Sequence, residues 1–270
     1  MMDSRVSALF PLLRQQWPDR RTALPLLVAM GVLAALAWVV TLWQTRTGDV
    51  LMSAGVPMSF EMGGRLSFSS AFLFLLIWLA MMAAMMFPSA WPVVMIYTAV
   101  ARKRMAGSVP LFVAGYLLVW EMIGLVAYAA YVLAGAQLSM SGLREQLPLL
   151  TAVFIVLAGV YQFTPLKRAC LKHCQGPLEY LATHWRDGPW GAFRMGGGHG
   201  AYCLGCCSGL MVALIALGAM DLRWMATVSA VIAIEKLGPR HRALPAAVGI
   251  GLVLLGFAVA FWPRPGMAGM

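Results

Sequence analysis

Long apolar runs separated by short polar segments dominate the chain. A helix of roughly 20 apolar residues spans the hydrocarbon core of a bilayer. The pattern predicts an all-α polytopic transmembrane helical bundle with about seven spans, at residues 23–43, 71–101, 110–133, 148–163, 203–219, 222–234 and 243–262. The run at 222–234 has only 13 residues, so a bundle of six spans is the alternative.

The polar segments predict the domain organisation. We expect residues 1–22 to form a cytosolic or interfacial amino-terminal segment and residues 263–270 to form a tail. Between them, residues 23–262 form a single transmembrane helical domain, which holds a long cytosolic loop at 164–200. The polar residues before the first run favour a retained anchor over a cleavable signal.

Composition and charge agree with this interpretation. The chain has 270 residues, of which 61% are hydrophobic and 11% are charged, so we expect its main partner to be the lipid bilayer. The net charge of +10 lies in short segments rather than in a basic patch with interleaved aromatics, which argues against nucleic acid binding. A cytosolic amino terminus places 15 Lys and Arg residues inside and 5 outside, as the positive-inside rule requires.

The five cysteines lie in two short clusters, and the residues of the second cluster are spaced like metal ligands on a helix. His199, Cys203 and Cys206 stand at i, i+4 and i+7, so a helix presents them on one face with Cys207 beside them. Thiolates and imidazole suit a soft or borderline ion, Cu(I) or Zn(II). The sequence therefore predicts a metal site at the cytosolic start of the fifth span.

The first cluster has the same character. Cys170, His173 and Cys174 occupy i, i+3 and i+4 on a helix that continues out of the fourth span. Consecutive spans are usually neighbours, so the two clusters are expected to meet, either as one site or as two. The alternative is that these cysteines are small apolar residues of the core.

Four methionines of the second span form pairs at helical spacing. Met81 pairs with Met85, and Met82 pairs with Met86, at i and i+4. Thioethers bind Cu(I) without losing a proton, so the four residues, extended by Met211 of the fifth span, predict a transmembrane methionine ladder. Since the chain has 20 methionines, the alternative is ordinary filling of an irregular core.

Three charged residues in apolar surroundings need an explanation. A carboxylate at the centre of a span costs roughly 2.5–3.5 kcal/mol, so Glu121 should face the protein interior. It is a candidate proton carrier, or else a structural carboxyl bonded to Tyr116 or Tyr128. We expect Glu235 and Lys236 to cap and pair at the end of the sixth segment.

The residues described above resemble the bacterial "predicted metal-binding integral membrane protein" family, of which one branch includes a protein regarded as a copper chaperone for a bacterial tyrosinase. The resemblance covers about residues 71–250, and its Cys-x-Gly-Cys-Cys element is specific. Members often have Trp after the double cysteine, where this chain has Ser208. The matching segments lie at 78–88, 161–177, 198–211 and 235–236.

Ligand chemistry and resemblance together favour a copper chaperone or transporter-like protein of the bacterial inner membrane, rather than an enzyme. It would bind Cu(I) and supply a cuproenzyme client. The alternatives are a structural membrane subunit that holds Zn(II), and a membrane thiol oxidoreductase that uses Cys206 or Cys207. The sequence leaves the oligomeric state undetermined.

Overall fold

The computed structural model describes residues 20–53, 68–101, 107–140, 147–218, 221–238 and 243–261. Every regular element in these ranges is an α-helix, which confirms the predicted fold class. The predicted tail and most of the predicted amino-terminal segment lie outside the described residues. The helices, in chain order, are α1 Arg20–Ser53, α2 Phe68–Ala101, α3 Val109–Met140, α4 Leu147–Tyr161, α5 Pro165–Gln175, α6 Pro177–His184, α7 Gly188–Gly218, α8 Leu222–Leu237 and α9 Ala243–Phe261.

Within the described residues, fewer helices than the seven predicted spans have the length and hydropathy of a membrane span. Four helices, α2, α3, α7 and α9, are long and apolar enough to cross a membrane. Helices α4 and α5 make a fifth span if the bent pair counts as one. The predicted first span lies in α1, which has 34 residues and contains the apolar stretch Val28–Trp43. The predicted sixth span, α8, has only 16 residues, with Glu235 and Lys236 near its end.

The segment 164–200, predicted as a loop, is largely helical and forms α5, α6 and the first part of α7. Because α7 begins at Gly188, Cys203 lies at the midpoint of this helix and not near its start. Gly196, which lies in the segment predicted as a loop, allows close helix packing instead. A Cβ on Gly196 would collide with the carbonyl oxygen of Phe112 on α3, so only a small residue lets the two backbones touch.

A bend of 63° between α4 and α5 directs the first cysteine cluster toward α7. Thr164 caps α5, since its hydroxyl accepts a hydrogen bond from the backbone N–H of Lys167 at 3.3 Å, and Pro165 fits the first turn. Tyr161, at the end of α4, donates its hydroxyl to the carbonyl oxygen of Gly205 at 2.6 Å. The bend is thereby fixed against the middle of α7.

Helix α2 carries the four predicted ladder methionines and continues through two prolines. Pro88 has no N–H, so the carbonyl of Ala84 loses its helical donor. The indole N–H of Trp38 on α1 donates to that carbonyl at 3.1 Å. At the next residue of α2, the hydroxyl of Ser229 on α8 donates to the carbonyl of Met85 at 3.3 Å. Helices α1 and α8 are therefore attached to α2 at the methionine stretch.

Candidate metal centre

The two cysteine clusters meet where α5 packs against α7. The Sγ atoms of Cys174 and Cys206 are 3.6 Å apart, and those of Cys206 and Cys207 are 3.4 Å apart. Cys206 and Cys207 are buried, whereas Cys174 is partly exposed. We call Cys174, Cys206 and Cys207 the thiol trio. Its sulfur atoms form a continuous row from the partly exposed end of α5 into the core.

Cys203 lies one turn away from the trio and meets side chains from three other helices. Its Sγ is 4.0 Å from the Sδ of Met86 on α2 and 3.1 Å from the hydroxyl of Tyr116 on α3. The ammonium of Lys236 on α8 donates to the same sulfur at 2.9 Å. Cys203 therefore combines a thioether neighbour with two polar groups in a fully buried position.

The predicted methionines belong to the same buried core as the cysteines. Met82, Met85 and Met86 are fully buried and Met81 is 5% exposed, while Met211 of α7 is 7% exposed. Within the described residues, Met86 is the methionine of this set whose sulfur reaches a cysteine sulfur. The structure thus brings the methionines to the cysteines but places one thioether in direct contact.

The two predicted histidine ligands take different positions. His173 stacks on Tyr202 with ring centroids 4.2 Å apart, and its Nδ1 faces the carbonyl of Ala169 at 2.9 Å. His199 is 3% exposed, and within the described residues its Nδ1 has no hydrogen-bond partner. The His199 ring lies 6.0 Å from the ring of Tyr116, which itself contacts Cys203. His199 thus shares the buried surroundings of Cys203 through Tyr116, whereas the ring of His173 is engaged by Tyr202 and by the carbonyl of Ala169.

Tyr180 of α6 closes the other side of His199, with ring centroids 5.3 Å apart. Burial raises the pKa of Tyr180 well above its ordinary value. Its hydroxyl consequently remains a donor, and it bonds to the carbonyl of Met195 at 2.7 Å. The imidazole is enclosed between two aromatic side chains.

Cys170 and Glu121 were also predicted as site residues. Cys170 is buried in the same core, packed against Gly205, but among the described residues its sulfur makes no hydrogen-bond contact with another sulfur. Glu121 is half-buried, and one of its carboxyl oxygens is buried without a hydrogen-bond partner in the described part of the chain. Tyr116, which was a predicted partner of this carboxyl, contacts Cys203 instead.

Sequence reasoning missed the role of two lysines. Lys167 lies in the segment predicted as a cytosolic loop, yet it is 1% exposed and bonds to Glu235 at 2.6 Å. Lys236 was expected to pair with its neighbour Glu235, yet it reaches Cys203 and the hydroxyl of Ser89 at 3.2 Å. The signal in the sequence was the pair of adjacent charges, Glu235 and Lys236, at the end of an apolar helix. Since residues i and i+1 point in different directions, they rarely pair with each other.

The donor set is dominated by sulfur. The described residues contain no group of three or more His, Cys, Asp or Glu side chains placed to hold a metal ion. What they contain is contacts between thiols, and between a thiol and a thioether, inside an apolar core. Thiolates and thioethers are the ligands that Cu(I) prefers, so the residues present fit monovalent copper as a cargo.

One protein family matches most of this region. The family PpoB2, described as a copper chaperone, matches residues 75–259. The chain belongs to this copper chaperone family. The matched range includes every cysteine, the methionines of α2 and Lys236. Searches of curated proteins and of solved structures gave no match. Family membership supports copper handling, and the long apolar helices support a membrane protein.

Proposed function

We propose that this protein binds Cu(I) at the thiol trio and exchanges it with Cys203 and Met86. The observation that carries the proposal is the contact between Cys174 and Cys206, whose sulfur atoms are 3.6 Å apart although the residues are 32 positions apart in the chain. Two separate helices have to be held together to produce this contact. A core built from alkyl side chains would pack without it.

The row of sulfur atoms suggests how copper moves. Neighbouring sulfurs lie 3.4–4.0 Å apart from Cys174 to Cys207, and again from Cys203 to Met86. An ion bound to one sulfur can therefore gain the next ligand before it loses the first. The buried thioethers of Met85, Met82 and Met81 extend this row along α2 as the proposed ladder, and His199 is an additional ligand candidate.

Charge placement gives an orientation for the proposal. The cations Arg168, Lys172, Arg186 and Arg194 surround this end of the bundle and are exposed. Under the positive-inside rule this end faces the cytosol of a bacterial inner membrane, with the amino terminus on the same side. Partly exposed Cys174 then receives copper from the cytosol or returns it there. The partner is a cuproenzyme client that obtains its copper through this protein.

The first test is a titration of the purified, reduced protein with Cu(I) and, separately, with Zn(II), each against a competing chelator. The parent is compared with a variant in which Cys203, Cys206 and Cys207 are changed to Ser. Cys170→Ser is the control, because Cys170 belongs to the same core but lies outside the sulfur contacts. We expect tight Cu(I) binding in the parent and in the control, and its loss in the triple variant.

Two results would overturn this function. One is a parent that binds no Cu(I); the other is a triple variant that binds Cu(I) as tightly as the parent. A parent that retains Zn(II) against the chelator but not Cu(I) would instead indicate the structural zinc role. Reduction of a disulfide substrate by the metal-free, reduced protein, whose own cysteines become oxidised to a disulfide, would indicate the oxidoreductase.

A second test addresses the ladder. The protein is reconstituted into vesicles that contain trapped bicinchoninate, which becomes coloured when it binds Cu(I). Changing Met81, Met82, Met85 and Met86 to Leu nearly conserves side-chain volume and removes the thioethers. We expect the variant to retain Cu(I) binding in detergent and to lose colour formation in vesicles. Equal colour formation by parent and variant would show that these methionines only fill the core.

A further inference from the structure

Lys236 is a buried cation without a carboxylate partner. Its side chain is 6% exposed, and its ammonium contacts the Cys203 sulfur at 2.9 Å and the Ser89 hydroxyl at 3.2 Å. Among the described residues no Asp or Glu lies within ion-pair distance of it. The adjacent Glu235 is bonded to Lys167 instead.

A charge in this position needs a counter-charge. Burying an isolated ammonium in a low-dielectric interior is very unfavourable unless it is paired. Ser89 offers a neutral hydroxyl, so the sulfur of Cys203 is the anionic candidate between the two contacts of Lys236. A neutral thiol leaves the ammonium uncompensated, whereas a thiolate that binds a monovalent cation together with a second thiolate compensates it fully.

We infer that Lys236 is a specificity-determining residue, which makes the Cys203 site selective for monovalent soft cations. This inference rests on the proposed function. Cu(I) held by the thiolates of Cys203 and of Cys207, one turn further along α7 in the same core, carries one negative charge, which the ammonium of Lys236 neutralises. Zn(II) with two thiolates is neutral, so the same ammonium leaves an excess positive charge in the core. The same counting predicts that Ag(I) binds as Cu(I) does.

The test compares Cu(I), Ag(I) and Zn(II) affinities of the parent, Lys236→Met and Lys236→Arg. Lys172→Met is the matched control, since it removes the same charge from an exposed position. We expect Lys236→Met to weaken Cu(I) and Ag(I) binding by about tenfold or more, as for other groups that support metal ligands. Zn(II) affinity should stay constant or rise. Lys236→Arg retains the charge and should keep the parent's preference for monovalent ions.

The outcomes separate this inference from the function on which it rests. If the parent binds Cu(I) through its cysteines but Lys236→Met changes all three affinities equally, the inference fails and the function stands. If the parent binds no Cu(I), the function itself fails. Lys236→Gln keeps a hydrogen-bond donor without the charge, so it gives the same comparison should the Met variant not fold. If Lys236→Gln keeps the parent's preference for Cu(I) and Ag(I) over Zn(II), the inference is contradicted.

Discussion

Two buried lysines reach the core from neighbouring helices, and they have opposite kinds of partner. Lys167 on α5 is 1% exposed and bonds to the carboxylate of Glu235 at 2.6 Å. Lys236 on α8 is 6% exposed and bonds to the sulfur of Cys203 at 2.9 Å. Glu235 and Lys236 are adjacent in sequence, yet each turns to a different helix.

The comparison separates a paired charge from one that has no carboxylate partner. Lys167 and Glu235 neutralise each other, and Gln175 adds a hydrogen bond to the carbonyl of Glu235 at 2.7 Å. This ion pair joins α5 to α8. Lys236 has no carboxylate partner among the described residues, and in our proposal the Cu(I)–thiolate group balances its charge. Burial alone therefore does not reveal what a lysine does, because the partner decides.

The largest effect is expected from Lys167→Met. It leaves the Glu235 carboxylate buried without its cation, and breaking a buried pair in this way costs about 3–5 kcal/mol. Unfolding in detergent, followed by far-UV circular dichroism, measures the loss. The double variant Lys167→Met with Glu235→Leu is the control, since it removes both charges and should recover most of the stability. A double variant as unstable as the single one would show that the loss of stability does not come from breaking this ion pair.

The next effect tests whether the sulfur site depends on backbone contact between α7 and α3. Gly196→Ala inserts a methyl group against the carbonyl of Phe112. Overpacking of this kind costs about 1–3 kcal/mol, and it should also weaken Cu(I) binding by moving Cys203 away from Tyr116. Gly251→Ala on α9 is the control, because open space surrounds that position. Equal unfolding curves for the two variants would contradict the close approach.

A smaller effect is expected from Lys236→Met in the metal-free protein. The variant loses hydrogen bonds to a hydroxyl and a sulfur, but it also removes a buried ammonium that no bound ion compensates, so the net loss of stability should be about 1.5 kcal/mol or less. The same unfolding measurement, run beside Lys167→Met, tests the contrast directly. If Lys236→Met destabilised the metal-free protein as much as Lys167→Met does, both lysines would be structural. The difference in role between them would then be contradicted.

The smallest effect is expected from Tyr116→Phe, which removes one hydrogen-bond contact to the Cys203 sulfur. The loss of about 1 kcal/mol corresponds to a several-fold weaker Cu(I) affinity. Tyr97→Phe is the matched control, since its buried hydroxyl bonds to the hydroxyl of Ser108 rather than to a sulfur. The chelator titration should show weaker Cu(I) binding for the first variant only. Equal affinities in both would remove Tyr116 from the site.

Local patterns predicted the helices and the chemistry of the ligands. Apolar runs predicted an all-α membrane bundle, and the spacing of Cys203 and Cys206 placed them on one helix. The count of spans was less predictable, because helix length and polar ends decide whether a run crosses. Helix α8, for example, has only 16 residues, with Glu235 and Lys236 near its end.

The glycines at 196–198 show why local patterns mislead. A run of glycine favours a loop in isolation, since each residue loses much conformational freedom in a helix. Here the backbone of α3 lies so close that a side chain at Gly196 has no room. The need for a small residue comes from a partner helix about 80 positions earlier in the chain. Such a requirement leaves no mark on the local sequence.

By itself, the sequence determined the elements and the side-chain types of this protein: apolar helices, soft sulfur side chains and a few charges placed among them. These follow from residue type and short-range spacing, which every residue carries with it. Only the tertiary structure decided that Cys174 meets Cys206, that Glu235 takes Lys167, and that Lys236 is left to Cys203. Those pairings depend on the 63° bend after α4 and on the close contact of α7 with α3. Both arise from long-range packing rather than from neighbours in sequence.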